Sequence, residues 1–354
     1  MSIFVKKIWI STKKLLFCSI ILVFRGEIML LLTKVVMALM VSFLAAVILG
    51  LIIIPVLKKI NFGQKISSYV GASHKKKEGT PTMGGLIFII PTIMTTIILI
   101  LTGKIEFSYN LGICLAVFIC YAFIGFLDDY LSIKRGKNEG LTVSQKFLLQ
   151  IIVALIFFAI YMRYNGNTNF TVTTLGIDIN LGWGYGILIL LMLVGFSNAV
   201  NLTDGLDGLA GGLSTIALLA FALISLFIGV EDMGIFSVVL IGSLIGFLMF
   251  NIYPAKVFMG DTGSLALGAV LATVAILTRR EVTLFFVGFV FVIETLSVII
   301  QVLHYKRTKK RIFLMTPLHH HFEKKGYDEP DIVKGFYIAG ILCTLAGIIF
   351  ALWI

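Results

Sequence analysis

Five aspartates lie at the ends of long apolar segments in this chain, and they are the residues best suited to chemistry. They are Asp128, Asp129, Asp204, Asp207 and Asp261. The sequence contains only 18 carboxylates, against 29 lysines and arginines. On the simplest topology all five aspartates emerge on the same face of a membrane. Carboxylates there, with basic loops around them, predict a divalent metal that handles phosphates.

The composition assigns the chain to the membrane. Hydrophobic residues make up 59%, charged residues 13%, and the mean hydropathy is +1.04, which excludes an ordinary soluble domain. Continuous apolar runs favour helices over a barrel. The four cysteines lie singly in apolar stretches, so neither a disulfide framework nor a zinc site is expected. We therefore predict an all-α polytopic membrane protein.

Ten apolar segments approach the roughly 20 residues that a bilayer crossing needs. The loops at 58–83, 128–146, 201–208, 253–261 and 304–334 hold 19 basic residues, and the opposite side holds 5 from Lys34 onward. The positive-inside rule places the first set in the cytoplasm. The net charge of +11 then reflects these loops and not a nucleic-acid surface. The predicted spans are Val35–Leu57, Gly84–Leu101, Leu111–Leu127, Phe147–Met162, Leu181–Val200, Leu209–Val230, Gly234–Ile252, Thr262–Thr278, Val282–Leu303 and Gly335–Ile354.

Two segments depart from this pattern. Residues 170–181 alternate around Leu175-Gly176, which predicts a small β-hairpin on the outer face. Residues 1–28 carry five basic side chains that the topology would place outside, and their apolar run Leu15–Phe24 is too short to span. We interpret 1–28 as an interfacial helix or as an extension before a true start at Met29. Residues 29–354 form a single predicted membrane domain with cytoplasmic catalytic loops.

Two of the acidic motifs lie at helix ends. Asp128 and Asp129 close the third span, where the helix dipole disfavours negative charge, so a compensating cation or a protonated state is expected. Asp261 begins the eighth span, where it could act as a plain helix cap. Its neighbouring glycines and the free N–H groups of a helix start also suit a magnesium–pyrophosphate complex.

The segment 198–212 combines two amides, two carboxylates and four glycines. These are Asn198, Asn201, Asp204, Asp207, Gly205, Gly208, Gly211 and Gly212. Capping the sixth span would explain one carboxylate, but not the whole set. The combination predicts a ligand site.

Histidines and one intramembrane carboxylate complete the candidates. The consecutive side chains of His319–His321 cannot all converge on one zinc ion, so phosphate contact or proton transfer by one or two of them is preferred. Glu294 is the only charged residue within a predicted span. It is either functional or a protonated structural hydrogen-bonding group.

Taken in order, these motifs resemble the phospho-N-acetylmuramoyl-pentapeptide transferase family, part of the polyprenyl-phosphate N-acetylhexosamine-1-phosphate transferase superfamily. The resemblance runs from about Met29 to Ile354, through Gly79–Gly85, Asp128-Asp129-Tyr130, Asn198–Gly212, Phe258–Ser264 and Pro317–Glu323. It implies an enzyme of peptidoglycan synthesis that transfers phospho-N-acetylmuramoyl-pentapeptide from UDP-N-acetylmuramoyl-pentapeptide to undecaprenyl phosphate, forming lipid I and UMP. Magnesium would be the cofactor, the location the bacterial cytoplasmic membrane, and a homodimer is a weaker implication.

The resemblance also assigns residue roles. The catalytic residues would be Asp128, Asp129, Asp261 and His321, with Asp128 activating the lipid phosphate and Asp261 binding the metal. The substrate-binding residues would be Lys77, Thr82, Asn198, Asn201, Leu202, Asp204, Gly205, Asp207, Phe258, Gln301 and His320.

Two other functions stay open. One is a transferase that joins UDP-N-acetylhexosamine to polyprenyl phosphate for another cell-envelope polymer, against which the segments Gly79–Gly85 and His319–Glu323 argue. The other is a cation-coupled transporter, which would need acidic groups near mid-bilayer and two pseudo-symmetric halves.

Overall fold

The computed structural model describes the backbone of residues 2–59, 79–135 and 140–352, with all their side chains except those of 2–25, 28 and 173. The described part is almost entirely helical. Its helices are α1 (Ser2–Lys59), α2 (Leu86–Leu101), α3 (Tyr109–Arg135), α4 (Val143–Tyr164), α5 (Gly184–Thr203), α6 (Leu209–Phe227), α7 (Glu231–Asn251), α8 (Gly260–Leu277), α9 (Glu281–Val287), α10 (Phe289–Thr308), α11 (Leu318–Lys324) and α12 (Glu329–Leu352).

Nine helices in the described ranges are long and apolar enough to cross a membrane, and α2 is apolar but has only 16 residues. The predicted polytopic α-helical class is confirmed. The first crossing is Met29–Lys59, and the backbone of the residues before it continues the same helix.

The fourth span begins earlier than predicted because a capping box starts α4. The Gln145 backbone N–H donates to Thr142 Oγ1 (3.3 Å), and the Thr142 N–H donates to Gln145 Oε1 (3.0 Å). These bonds satisfy backbone groups at the helix start. Consequently Lys146 lies within the helix rather than in the preceding loop.

The ninth predicted span is wrong in one respect, because it is two helices. The chain breaks at Gly288 between α9 and α10. A Cβ on Gly288 would lie 2.6 Å from Phe196 Cε1, so glycine at the break permits the close approach of α5.

Helix α8 is the centre of the bundle. Every residue from Thr262 to Leu277 is buried, and α8 packs mainly against α3 and α5. Small residues permit this packing, as they do in membrane helices generally. At Gly268, for example, a Cβ would lie 2.6 Å from the backbone carbonyl carbon of Phe196. Helix α8 is thereby held close to both α3 and α5.

The predicted β-hairpin is present at the end of the bundle away from the five aspartates. Strands β1 (Asn169–Val172) and β2 (Ile177–Asn180) are antiparallel, with Phe170 opposite Ile179. Arg279, just after α8, donates to the Asn167 carbonyl (3.0 Å) and ties the hairpin to the bundle.

Candidate active site

Three carboxylates meet where the C-terminal end of α3 approaches the N-terminal end of α8. One oxygen each from Asp128, Asp129 and Asp261 lies within 4.8 Å of the other two. Gly125, one turn before the pair on α3, lies directly against the Asp261 backbone, where a Cβ would overlap it. The contact between the two helix ends therefore requires glycine at this position.

We expect Gly125→Ala to disturb this contact. Overpacking a filled site costs about 1–3 kcal/mol, and here it separates α3 from α8 at the carboxylates. We expect a lower unfolding temperature and activity reduced by at least about tenfold, since a displacement of 1 Å can cost on the order of 100-fold. Gly195→Ala is the matched control, because a Cβ there meets no atom within 4 Å. Equal behaviour of the two variants would contradict the contact's importance.

Asp129 holds the start of α8 in place. Its carboxylate accepts hydrogen bonds from the backbone N–H groups of Asp261 (3.2 Å) and Thr262 (3.0 Å) and from the Thr262 hydroxyl (2.6 Å). Met259 is the N-cap residue of α8 and provides no side-chain cap. Asp129 thus caps α8 from a neighbouring helix. Asp261 is therefore not the cap of α8, which was one of its two predicted roles.

Lys146 is the cation between the carboxylates, and the sequence analysis missed it. Its Nζ lies 3.2 Å from Asp128 Oδ1 and also forms an ion pair with Asp261 Oδ2. Asp128 Oδ1 accepts a further hydrogen bond from the Leu141 N–H (2.9 Å). The sequence did contain one indication of this lysine. The capping box at Thr142 predicts a helix start there, which places Lys146 in the first turns of α4.

The charges of this cluster fit a divalent cation. Three carboxylates and one lysine leave a formal charge of −2, which is the charge a magnesium ion would neutralise. Oxygen ligands are those that magnesium prefers. Asp204 lies nearby: burial, followed by the negative charges of Asp261 and Asp129, raises the pKa of Asp204 to about 8.

The segment around Thr82 runs beside the start of α8. Phe258 donates its N–H to the Pro81 carbonyl (2.8 Å) and accepts from the Gly84 N–H (2.8 Å). A Cβ on Gly260 would lie 2.7 Å from Thr82 Oγ1 and 2.5 Å from Asp129 Oδ2, so Thr82 borders the carboxylates. Lys77 lies outside the described residues.

Asn201 contacts the carboxylates directly. Its Nδ2 donates to Asp261 Oδ1 (2.7 Å) and to Ser264 Oγ (2.9 Å). Asn198, one turn earlier, has different partners, because its Nδ2 donates to Gln150 Oε1 (2.7 Å) and the Val194 carbonyl (2.8 Å). Asn201 therefore orients Asp261, and Asn198 joins α5 to α4.

The loop that contains Asp204 and Asp207 connects α5 to α6, and Leu202 lies in the last turn of α5. Asp207 is buried and accepts a hydrogen bond from the Ala255 N–H (2.9 Å). The N-cap of α6 is Gly208, with φ of 81° and no side-chain cap, so the capping interpretation of the two aspartates does not hold. Asp207 instead joins this loop to the segment before α8.

The intramembrane carboxylate Glu294 has a buried partner. Glu294 and His319 are both fully buried; Glu294 Oε2 lies 3.1 Å from His319 Nδ1, and Glu294 Oε1 accepts the His319 N–H (3.2 Å). The other ring nitrogen of His319 faces Gly205. The pair therefore links α10 and α11 to the loop between α5 and α6. The sequence does not reveal this pairing, because Glu294 and His319 are 25 residues apart.

The remaining predicted residues support the loop between α10 and α11. Gln301 accepts the N–H groups of Ile312 (3.0 Å) and Phe313 (3.1 Å) and donates to the Phe313 carbonyl (3.0 Å). His321 Nδ1 accepts the Leu314 N–H (3.1 Å). His320 Nδ1 lies 2.6 Å from Glu323 Oε2. These contacts involve none of the three carboxylates, and direct substrate contact by Gln301, His320 and His321 stays a prediction.

Comparisons with known proteins show what this chain is similar to. A sequence profile of the family described as Glycosyl transferase family 4 matches residues 111–279, and one described as Phospho-N-acetylmuramoyl-pentapeptide-transferase signature 1 matches residues 77–89. The chain is 49% identical over 316 residues to the phospho-N-acetylmuramoyl-pentapeptide-transferase of Bacillus subtilis (strain 168), covering 89% of this chain and 97% of that protein. It is 48% identical to the protein of the same name from Staphylococcus carnosus (strain TM300), in an alignment that covers 89% of this chain and 97% of that protein. It is also 48% identical to the one from Geobacillus sp. (strain WCH70), in an alignment that covers 90% of this chain and 98% of that protein.

Proposed function

Since the chain belongs to the phospho-N-acetylmuramoyl-pentapeptide transferase family, we propose that it transfers phospho-N-acetylmuramoyl-pentapeptide from its UDP carrier to undecaprenyl phosphate. A phosphate oxygen of the lipid attacks the sugar-linked phosphorus of the nucleotide substrate. The new O–P bond forms as the bridging O–P bond to the uridine phosphate breaks. UMP leaves with the bridging oxygen, and the lipid pyrophosphate that remains is lipid I.

The observation that carries this proposal is the group of Asp128, Asp261 and Lys146 at the membrane edge. One pyrophosphate is exchanged for another, so the reaction needs positioning and charge stabilisation more than a strong driving force. Lys146 can bind an anionic phosphate beside the two carboxylates. Asp128 is placed to take the proton of the lipid phosphate, which frees an oxygen to attack.

A magnesium ion fits the same residues. Asp261 would hold it with Asp128, while Asn201 and Asp129 fix Asp261 in position. When bound, the ion neutralises the negative charge that develops on the pyrophosphate oxygens. The protein residues supply orientation: Asn201 fixes the Asp261 side chain, and Asp129 fixes the backbone that carries it.

The acceptor chemistry fits the surroundings of α10. An apolar cavity of about 480 Å³ lies between α10 and α12 and is lined by Phe289, Val290, Phe322, Phe336 and Cys343, among others. Phe322 follows the histidines of α11. We propose that part of the polyprenyl chain occupies this cavity, with its phosphate directed along α11 toward the carboxylates.

We place the carboxylates on the cytoplasmic side of the bacterial cell membrane. The support is the excess of lysine and arginine in the loops at this end of the bundle. A nucleotide substrate made in the cytoplasm can reach a site on that side without crossing the bilayer.

Lys146→Met is expected to abolish most turnover. The substitution keeps an unbranched apolar stem but removes the charge that pairs with Asp128 and Asp261, leaving two carboxylates in mutual repulsion. Losing charge stabilisation of 2.7–4 kcal/mol corresponds to about 100- to 1,000-fold in kcat. Steady-state kinetics beside Lys58→Met, which removes an exposed lysine at the end of α1, give the comparison. A purely structural Lys146 would lower the folded fraction but leave kcat per folded molecule unchanged.

The function is tested by release of UMP from purified protein in detergent or nanodiscs. We expect UMP only when UDP-N-acetylmuramoyl-pentapeptide, undecaprenyl phosphate and magnesium are all present. Replacing the nucleotide substrate by UDP-N-acetylglucosamine should give no release. Turnover with UDP-N-acetylglucosamine instead would identify the rival hexosamine transferase. Release without undecaprenyl phosphate would indicate hydrolysis rather than transfer.

A further inference from the structure

A second polar cavity lies at the end of the bundle opposite the carboxylates, and the transfer reaction does not use it. Its volume is about 610 Å³, and it forms where α1 meets the loop between α2 and α3 and the loop between α6 and α7. The charged residues that line it are Lys34, Lys104, Glu106, Glu231 and Asp232. A cavity with both signs of charge suits a ligand that carries both.

The walls of this cavity are fixed by hydrogen bonds within the protein. The Lys104 N–H donates to the Leu99 carbonyl (2.9 Å), which folds the first loop back on α2. The Val230 N–H donates to the Ser225 carbonyl (2.8 Å), which does the same for the second loop on α6. Asp232 accepts from the Ser108 hydroxyl across the cavity wall. The cavity is therefore formed before any ligand binds.

Its charges are left available to a ligand. Within the described side chains, neither Lys34 nor Lys104 forms an ion pair with a carboxylate. Glu106 and Glu231 are exposed and likewise form no ion pair in that part of the chain. By contrast, both carboxylate oxygens of Asp232 already accept hydrogen bonds, one from the Ser108 hydroxyl and one from the Met233 N–H (2.8 Å).

The lengths of the helices place the cavity at the head-group level of the bilayer. At 1.5 Å per residue, the 16 residues of α2 and the 19 residues of α6 span about 24 and 28 Å. Both fall short of a hydrocarbon core of about 30 Å. The loops that follow them thus lie at the edge of the hydrocarbon, next to the exposed side chains of Leu101 and Phe107.

We propose that this cavity binds the head group of a zwitterionic phospholipid with a primary amine, of the phosphatidylethanolamine type. Lys34 and Lys104 bind the phosphodiester, and Glu106 and Glu231 accept hydrogen bonds from the ammonium. A choline head group has no N–H to donate to the carboxylates. A purely anionic head group meets three carboxylates against two lysines. The apolar neighbours Leu101 and Phe107 contact the acyl chains.

The test is lipid binding to the purified, delipidated full-length protein. Short-chain phosphatidylethanolamine, phosphatidylcholine and phosphatidylglycerol are titrated separately and followed by native mass spectrometry. We expect phosphatidylethanolamine to bind at least about tenfold more tightly than phosphatidylcholine, the effect of roughly one charge-assisted hydrogen bond. Glu106→Gln/Glu231→Gln should abolish the preference. Lys34→Gln/Lys104→Gln should weaken the binding of both lipids, and Arg163→Gln, at the exposed end of α4, should change neither.

Three results would overturn the proposal. The first is equal affinity of the wild-type protein for the ethanolamine and choline lipids, or a preference that survives Glu106→Gln/Glu231→Gln, or binding of both lipids that is unchanged in Lys34→Gln/Lys104→Gln. The second is tighter binding of phosphatidylglycerol, which would make this an anion site. The third is glycerophosphoethanolamine binding as tightly as the lipid, which would identify a soluble ligand. None of these outcomes bears on UMP release, so the inference and the proposed transfer reaction are tested separately.

Discussion

Asp261→Asn is expected to fold normally and to lose activity by on the order of 100-fold or more, because a bound metal contributes several kcal/mol of charge stabilisation. Asparagine keeps the size of the side chain and an oxygen that accepts from Asn201 Nδ2. It removes the negative charge that would bind a hard cation. The variant therefore separates charge from shape at this position.

The competing explanation is that Asp261 only provides negative charge in the first turn of α8. Such an interaction is worth about 0.3–1 kcal/mol, which is at most roughly fivefold in rate. Glu231→Gln is the matched control, since it removes a first-turn carboxylate from α7 at the other end of the bundle. UMP release is titrated with magnesium for wild type and both variants at equal folded amounts. Near-normal turnover of Asp261→Asn with an unchanged magnesium midpoint would end the metal-ligand assignment.

Local sequence patterns predicted most of the fold. Apolar runs of about 20 residues gave the crossings, because a membrane helix must satisfy its own backbone hydrogen bonds. The hairpin around Gly176 followed from alternation in a short polar loop. The break at Gly288 could not be predicted in this way. It lies in a continuous apolar run, glycine is common in membrane helices, and the close approach of Phe196 comes from a different helix.

The candidate site was predictable in its residue types and only partly in its contacts. The unfavourable position of Asp128 and Asp129 at the end of α3 indicated that each needs compensation. The negative charge of Asp128 is compensated by Lys146, and that of Asp129 by the N–H groups at the start of α8. Both partners are brought in by tertiary packing, which a motif does not encode. Asn198 shows that membership of a motif does not place a residue at the carboxylates, because its side chain binds Gln150 instead.

Asp128→Asn is expected to abolish turnover while binding of the nucleotide substrate survives. Asparagine still offers an oxygen to the Leu141 N–H (2.9 Å), so the loop after α3 should keep its place. In the described part of the chain, no hydrogen bond reaches Asp128 Oδ2, which leaves this oxygen to accept a proton from the lipid phosphate. Loss of a general base typically costs on the order of 100- to 10,000-fold in rate.

The measurement pairs kcat for UMP release with the Kd of UDP-N-acetylmuramoyl-pentapeptide for wild type, Asp128→Asn and the outer-hairpin control Asp178→Asn. A role in binding alone would weaken the Kd and leave kcat unchanged at saturation. The alternative to a general base is direct attack by the carboxylate, which predicts a phospho-sugar attached to the wild-type protein when undecaprenyl phosphate is withheld. Trapping that adduct would replace the general-base role of Asp128 with a nucleophilic one. Its absence, together with a kcat defect at normal Kd and an unchanged magnesium midpoint, supports Asp128 as the group that deprotonates the lipid phosphate rather than as a metal ligand.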